Sequence, residues 1–427
     1  MSREPEHPTG PPPAGVGGLP PAWRRRLRLL RPGVLRRESI RVARKLLRRA
    51  RRIERRVVRL EPAGGARGEA LFSFVVDPFC LPPGAEPSLD HTHDWESLQM
   101  ARTLVELGFA VDAIHWTHPL PPRRTYDLFV DVRLNMERLA PSLPPGCLKV
   151  LHIETAHWRF HNAAQRARLE ELRRRRGIEL PPHRLLEENR AIEVADCATI
   201  LGNELTASTY AFAGKPLHRV PISNPILYPS PAGKDFAACR RRFLWLGSDG
   251  FVHKGLDLVL EAFAGLPGYE LTVCGPFFRE PRFEIAFWSE LHHTPNIRTL
   301  GWVDVASEQF RRLATATLAM VYPSCSEGGG GSLITAMHAG LIPLATREAS
   351  VDLEPGFGVL LEDPTVEGIQ AAVRRLADLP AERLEAMAVA AWRHVRTQHT
   401  RERFAAGYRR AMREILAGAG FRGGVGE

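Results

Sequence analysis

No apolar run in this 427-residue chain reaches the roughly 18–20 residues that span a bilayer, so no membrane-crossing helix is expected. The N-terminal stretch has no charged-then-apolar layout, which argues against a cleaved secretory signal. Cysteine is sparse and scattered: Cys80, Cys147, Cys197, Cys239, Cys274 and Cys325 stand singly, with no CxxC pair. That spacing argues against structural zinc and a disulfide framework, and for isolated thiols in a reducing cytosol. No repeat of solenoid length is visible.

Acidic residues are nearly absent from one segment. Residues 24–59 hold 16 Arg and one Lys against two Glu, +15 in all, so the rest of a chain of net charge +10 sums to −5. The basicity belongs to an arm, and the body is mildly acidic. Residues 1–22 are rich in Pro and Gly without apolar periodicity, and are expected to be disordered. From Ser39 the apolar positions Val42, Leu46, Ala50, Ile53 and Val57 recur at steps of three and four, which predicts a basic amphipathic helix. Such a helix can lie on an anionic membrane surface, pack on its own body or stay solvated. Nucleic acid is disfavoured as a partner, because no aromatic residue follows Trp23 in the arm to stack on bases.

Beyond a linker at 62–68, short apolar runs alternate with helical patterns. Strands are expected at 70–76, 110–116, 127–132 and 148–153, and a helix at 97–107 that Gly108 stops. A charged helix follows His157 and runs through Arg176; residues 196–210 read as strand, loop and short helix. After the proline-rich 221–242 the alternation resumes, with strands at 243–246, 271–274, 297–300, 318–322, 341–345 and 359–361. Helices are expected at 365–379, 381–399 and 401–417. This is the grammar of two doubly wound α/β domains. The expected division is 1–65 for the disordered segment and arm, 66–222 and 243–400 for the two domains, 223–242 for a linker, and 401–427 for a final helix and tail.

Residues 320–346, MVYPSCSEGGGGSLITAMHAGLIPLAT, carry the sharpest local pattern. An apolar strand stops at Pro323, Glu327 leads into Gly328, Gly329, Gly330 and Gly331, and Ser332 stands where a helix N-cap is expected. Bare backbone N–H groups at a helix start suit an anion. This stretch resembles the donor-binding segment of family-four glycosyltransferases, retaining enzymes of the two-domain GT-B fold. The family carries two glutamates eight positions apart; the first is Glu327, and the second falls on Thr335. The stretch GSDGFVHKGLDLVLEAF resembles the family's first donor loop, with Lys254 at the lysine that opens a helix and Ser248 where an arginine is usual. The segment WESLQMARTLVELGFAVDAIHW is similar to the first helix and second strand of the acceptor domain.

The resemblance implies two Rossmann-like domains facing a cleft, the last helix crossing back to brace the first domain. It implies a hexose moved from a nucleotide-diphosphate sugar to a glycan or lipid-linked acceptor, without a metal or other cofactor. In such a site Lys254 and the glycine-loop amides would face the diphosphate, Glu327 the sugar hydroxyls, and Ser332 and Thr335 the nucleotide side. A histidine of the acceptor domain often faces the donor sugar; His152 and His157 could match, and His157 is favoured. His91-x-His93-Asp94 is the one metal-like spacing, and it reads better as a capped loop or an acceptor contact. A threonine at 335 offers one neutral hydroxyl, worth about 1 kcal/mol against roughly 1.5–3 for a charged acceptor. Two readings therefore stand: a transferase of surface-polysaccharide or envelope assembly in the cytoplasm or on the inner membrane face, and a non-catalytic GT-B protein that binds a nucleotide or glycan and supports a partner.

Overall fold

The computed structural model describes residues 53–421, apart from Pro83, Asp90, His91 and Leu120. The expected disorder at 1–22 and most of the predicted arm helix lie outside the described residues.

Two sheets organise residues 53–421. The first contains β1 (Val57–Leu60), β2 (Gly68–Phe74), β3 (Phe109–His115), β4 (Leu128–Asp131), β5 (Leu148–Ile153), β6 (Cys197–Ile200) and β7 (Leu217–Arg219), in the order β1-β3-β2-β4-β5-β6-β7. All pairings are parallel except β1 with β3. The second contains β8 (Arg242–Leu246), β9 (Glu270–Cys274), β10 (Ile297–Gly301), β11 (Ala319–Tyr322), β12 (Ile342–Ala345) and β13 (Val359–Leu360), all parallel, in the order β10-β9-β8-β11-β12-β13. β3 and β11 are buried along their whole length, as parallel strands covered by helices on both faces must be.

In each sheet the chain first winds outward to one side and then returns to the other. The reversal lies between β2 and β4 in the first sheet and between β8 and β11 in the second. At such a point the two neighbouring loops diverge, leaving a crevice at the carboxyl ends of the strands. This is why the loops after β8 and β11, some 70 residues apart in sequence, come together.

The final helix, Arg401–Gly418, belongs to the first sheet by packing. Its Phe404, Tyr408, Met412, Ile415 and Leu416 join one apolar cluster with Phe72, Phe74, Val111 and Leu104. Each such side chain buried contributes about 1.5–3 kcal/mol of transfer free energy, so this helix is firmly bound to the opposite half from the one that precedes it in sequence.

Two local expectations need correction. The arm helix was expected to extend through Ile53 and Val57. Instead Ile53–Arg55 is a single 3-10 turn and Val57–Leu60 pairs antiparallel with β3. Two consecutive β-branched valines beside an otherwise unpaired strand edge favour the sheet over another helical turn. Arg59, counted with the arm's free charge, is spent here: it donates to Glu69 at 2.8 Å and to the buried Asp112 at 3.2 Å. The helix expected at 97–107 is Thr92–Glu106, one turn longer at its start, where Asp94 complements the positive helix end.

Arg59→Ala should lower unfolding free energy in urea by about 1–3 kcal/mol, because it removes the cation paired with Glu69 and one of the two cations beside the buried Asp112. Arg55→Ala, at an exposed position, should stay within about 0.5 kcal/mol of the parent.

Candidate active site

The crevice of the second sheet is built around one ion pair. Lys254 lies immediately before Gly255, the N-cap of helix Leu256–Ala264, whose φ of 69° suits glycine. Its Nζ donates to Glu327 Oε1 at 2.5 Å and to the Tyr322 hydroxyl at 2.9 Å. Tyr322, the last residue of β11, in turn donates to Glu327 Oε1 at 2.8 Å, and Ser324 Oγ donates to the same oxygen at 3.1 Å. Oε1 thus carries three hydrogen bonds, while Oε2 has none among the described residues. Lys254 is 4% exposed and the Glu327 side chain 13%. Burial pushes the Glu327 carboxyl up, but Lys254 above all, then Arg184, hold it well below the usual range. Burial pushes Lys254 down, and Glu327 opposes that shift without cancelling it.

The residues singled out in sequence occupy different places around this pair. The N-cap of helix Gly331–His338 is Gly330, at φ 64°, and not Ser332; the left-handed conformation that the turn demands costs a serine more than a glycine. Ser332, half-buried, follows it in the first turn of that helix. Thr335 sits beyond the first turn, its hydroxyl donating to Gly331 O at 2.8 Å. Ser248 is exposed, one residue past the end of β8 and Gly247.

The glycines meet protein at close range. A Cβ on Gly328 would overlap the Glu154 carbonyl oxygen, one on Gly329 would lie 2.5 Å from Ile222, and one on Gly330 2.6 Å from Ala349 O. Gly331 is the open one, with Ile222 at 3.7 Å. The run lets the β11 loop pass tightly under the first half of the molecule.

His157 caps helix Trp158–Arg176 through a long 3.4 Å contact with the Arg159 amide. Its ring packs among Trp158, Tyr210 and Phe212, with Phe212 4.8 Å away. The histidine that touches the β11 loop is His161, one turn on. Its Nε2 donates to Arg184 O at 2.8 Å, so Nδ1 accepts from Ser326 Oγ at 3.1 Å. Its ring lies 4.6 Å from that of His253, whose Nε2 donates to Ser326 O at 2.5 Å. Burial holds both imidazoles neutral, His253 at about 3. His152 is a core residue, bonded to Thr199 at 2.8 Å.

The crevice of the first sheet carries a second polar group that sequence reading did not assemble. His93 Nε2 pairs with Glu154 Oε1 at 2.5 Å, and Arg133 reaches Glu154 Oε2 at 3.2 Å. The Arg133 guanidinium lies over Trp116 at 4.1 Å. Nearby, Glu96 accepts from the Ser223 hydroxyl at 2.7 Å. Trp116, Arg133 and Glu154 each stand just past the carboxyl end of a strand, β3, β4 and β5 respectively. That position was the signal available in sequence. The Glu154 backbone is also what Gly328 abuts, so the two crevices adjoin. Among the described residues, no group of three or more His, Cys, Asp or Glu could hold a metal ion. Nor is any helix long and apolar enough to cross a membrane.

Residues 240–378, about a third of the chain, match the family described as glycosyl transferases group 1. Among solved structures, the chain is similar to a glycosyltransferase from Rickettsia africae, at 10% identity and TM-score 0.53, over 82% of this chain and 98% of that one. It is also similar to sucrose-phosphate synthase from Thermosynechococcus elongatus, at 16% identity and TM-score 0.52, over 82% and 100%. A third is HepE of Anabaena in complex with UDP-glucose, at 11% identity and TM-score 0.50, over 82% and 100%. No curated protein matches the chain. The fold is GT-B, and its second half carries a glycosyltransferase domain.

Two measurements test the site. Lys254→Met should cost about 3–5 kcal/mol by leaving Glu327 buried and unpaired. Adding Glu327→Gln should recover part of that loss, so a double-mutant cycle in urea should give a coupling above about 1 kcal/mol. For His93, burial lowers the pKa, but Glu154 and then Glu96 hold it above the ordinary value. A raised folded-state pKa contributes stability that is full below about pH 6.5 and fades as pH climbs through the folded value. The stability difference between the parent and His93→Gln should therefore shrink from pH 6 to pH 9, and the His93 ring should titrate above 6.5 by NMR.

Proposed function

We propose that this protein is a retaining, metal-independent glycosyltransferase that moves a hexose from a nucleotide-diphosphate sugar to a glycan or lipid-linked acceptor. The observation that carries the reading is the Lys254–Glu327 pair at the strand-order reversal of a GT-B second half. Cleaving the bond from the anomeric carbon to the diphosphate gathers negative charge on the leaving group, and a buried ammonium is worth more against that charge than one in water. Lys254 has an N–H to give the phosphate beyond those held by Glu327 and Tyr322. Glu327 Oε2, free of hydrogen bonds among the described residues, would accept from a sugar hydroxyl and fix the anomeric carbon toward the acceptor. The acceptor would lie against Trp116, Arg133 and the His93–Glu154 pair, since those groups share the cleft with Gly328.

The setting proposed is surface-polysaccharide or envelope assembly in the cytoplasm, with the basic arm drawing the protein to the inner face of the membrane. Each arginine near an anionic surface contributes about 1 kcal/mol. Arg59 is excluded from that account by its salt bridges, and most of the arm's remaining charge precedes residue 53. Full-length protein should bind phosphatidylglycerol vesicles and a chain starting at Arg52 should not; equal binding would end the membrane reading. Starting later would remove β1 and confuse lipid binding with stability.

One observation favours the second reading, a non-catalytic GT-B protein. The Thr335 hydroxyl is turned back onto Gly331 O, so it is a poor substitute for a carboxylate on a ribose. Ligand-observed NMR with UDP-, GDP-, ADP- and TDP-sugars separates the two. The transferase reading expects one nucleotide sugar to bind the parent and release free sugar slowly. Glu327→Gln should weaken contacts on the sugar side, and Lys254→Met on the phosphate side, each by about tenfold or more. Absence of binding across the panel would leave the non-catalytic reading.

A further inference from the structure

Residues 177–190 follow helix Trp158–Arg176 without regular secondary structure, yet their backbone is tightly held. His161 Nε2 donates to Arg184 O at 2.8 Å, and the Arg184 amide donates to Gln165 Oε1 at 3.2 Å. Asn162 bonds Leu186 in both directions, at 2.9 and 2.8 Å. His161, Asn162 and Gln165 are one helical face, so this face fixes the Arg184 Cα from two sides.

From that anchor the Arg184 side chain leaves the first half and crosses onto the loop after β8. It fills the space where Gly250 lacks a side chain: a Cβ there would collide with Arg184 Cδ. Nη1 lies 3.5 Å from Asp249 O, a marginal contact, and Nε is buried with no hydrogen bond at all. A guanidinium carries five N–H donors, and one left buried and unpaired bears its full desolvation penalty. The neighbouring carboxylates do not claim it. Asp249 is taken by His183 at 3.3 Å and Arg279 at 3.4 Å, Glu280 by the Gly250 and Phe251 amides, and Glu327 by Lys254. Arg184 still acts on the ion pair through space, helping to hold Glu327 ionised.

A cation brought across a cleft, pinned by its backbone and left with a buried donor unsatisfied, is built for an anion absent from the protein itself. We propose that Arg184 is a phosphate-binding residue of the donor site, the second cation beside Lys254. The assignment rests on the nucleotide-sugar reading above. It supplies positive charge at the β8 loop, where Ser248 offers none. It also makes diphosphate binding depend on both halves at once, since Lys254 and Arg184 come from opposite sides of the cleft.

The test is calorimetric titration of pyrophosphate, and separately of uridine, guanosine and adenosine, into the full chain, Arg184→Gln and Arg184→Lys. Arg184→Gln should weaken pyrophosphate by roughly 10- to 100-fold, the range for losing a charged hydrogen-bond partner. Arg184→Lys should recover part of that, because it keeps the charge and loses the fork. Any nucleoside that binds the parent should bind all three proteins alike. Equal pyrophosphate affinity in the parent and Arg184→Gln would overturn the assignment and leave the donor reading intact. A matching loss for nucleoside and pyrophosphate would also overturn it, marking a general disturbance of the cleft. A parent that does not bind pyrophosphate would sink the donor reading itself, and Arg184's role with it.

Discussion

The second half of the molecule is arranged around a buried ammonium and carboxylate that must be kept together. Burying either alone would cost several kcal/mol, and their mutual attraction offsets this only when the remaining hydrogen bonds are supplied. Tyr322 and Ser324 supply them to Glu327 Oε1, and the phenol also accepts from Lys254. The strand order makes this possible: β8 and β11 are neighbours although the chain visits β9 and β10 between them. A hydrophobic pair of the same volume would hold the loops as well or better, so stability does not explain the choice of charge. What a charged pair offers, and an apolar one does not, is a donor and an acceptor with unused capacity at the mouth of a crevice.

The same loop sets the distance between the two halves. Gly328 lies so close to the Glu154 carbonyl that no side chain fits between them, and a Cβ on Gly202 would overlap Gly328 O. The contact is reinforced by Arg168 donating to Pro323 O at 2.9 Å and Asn203 donating to Arg347 O at 2.8 Å. The His93–Glu154–Arg133 group is therefore held at a fixed separation from the Lys254–Glu327 pair. For a reaction joining two substrates, that separation is itself part of the chemistry, because reacting atoms must meet within about 3–3.5 Å.

Much of this was legible in the sequence wherever a local rule and the tertiary structure agree. The apolar runs that become parallel strands, the Gly108 stop and the Lys254 and Glu327 loops all follow from turn chemistry and burial. The failures occur where a distant partner decides. Val57 fits a helical stripe as well as a strand, and only the open edge of β3 settles it. Ser332 is a better N-cap by residue type than Gly330, but the chain enters the helix at positive φ. His157 and His161 are both histidines past β5; only the folded helix shows that His161, one turn on, is the one that meets the β11 loop. Arg184 has no local motif at all, because its meaning lies in a glycine 66 positions away.

Ser248 and Thr335, which differ from the pattern the sequence resembles, differ in consequence on the reading proposed above. Removing a cation from the β8 loop is tolerable if another element brings one, and the residues 177–190 run directly over that loop with Arg184 in place. At Thr335 the helix itself absorbs the only hydroxyl, by the back-bond to Gly331 that threonine often makes within a helix. Neither remaining polar side chain of helix Gly331–His338 is an acid: Ser332 is a neutral hydroxyl, and His338 meets the His399 carbonyl at 3.0 Å. A cleft with its phosphate cations intact and its ribose contact reduced would hold a donor by its diphosphate and sugar more than by its nucleoside.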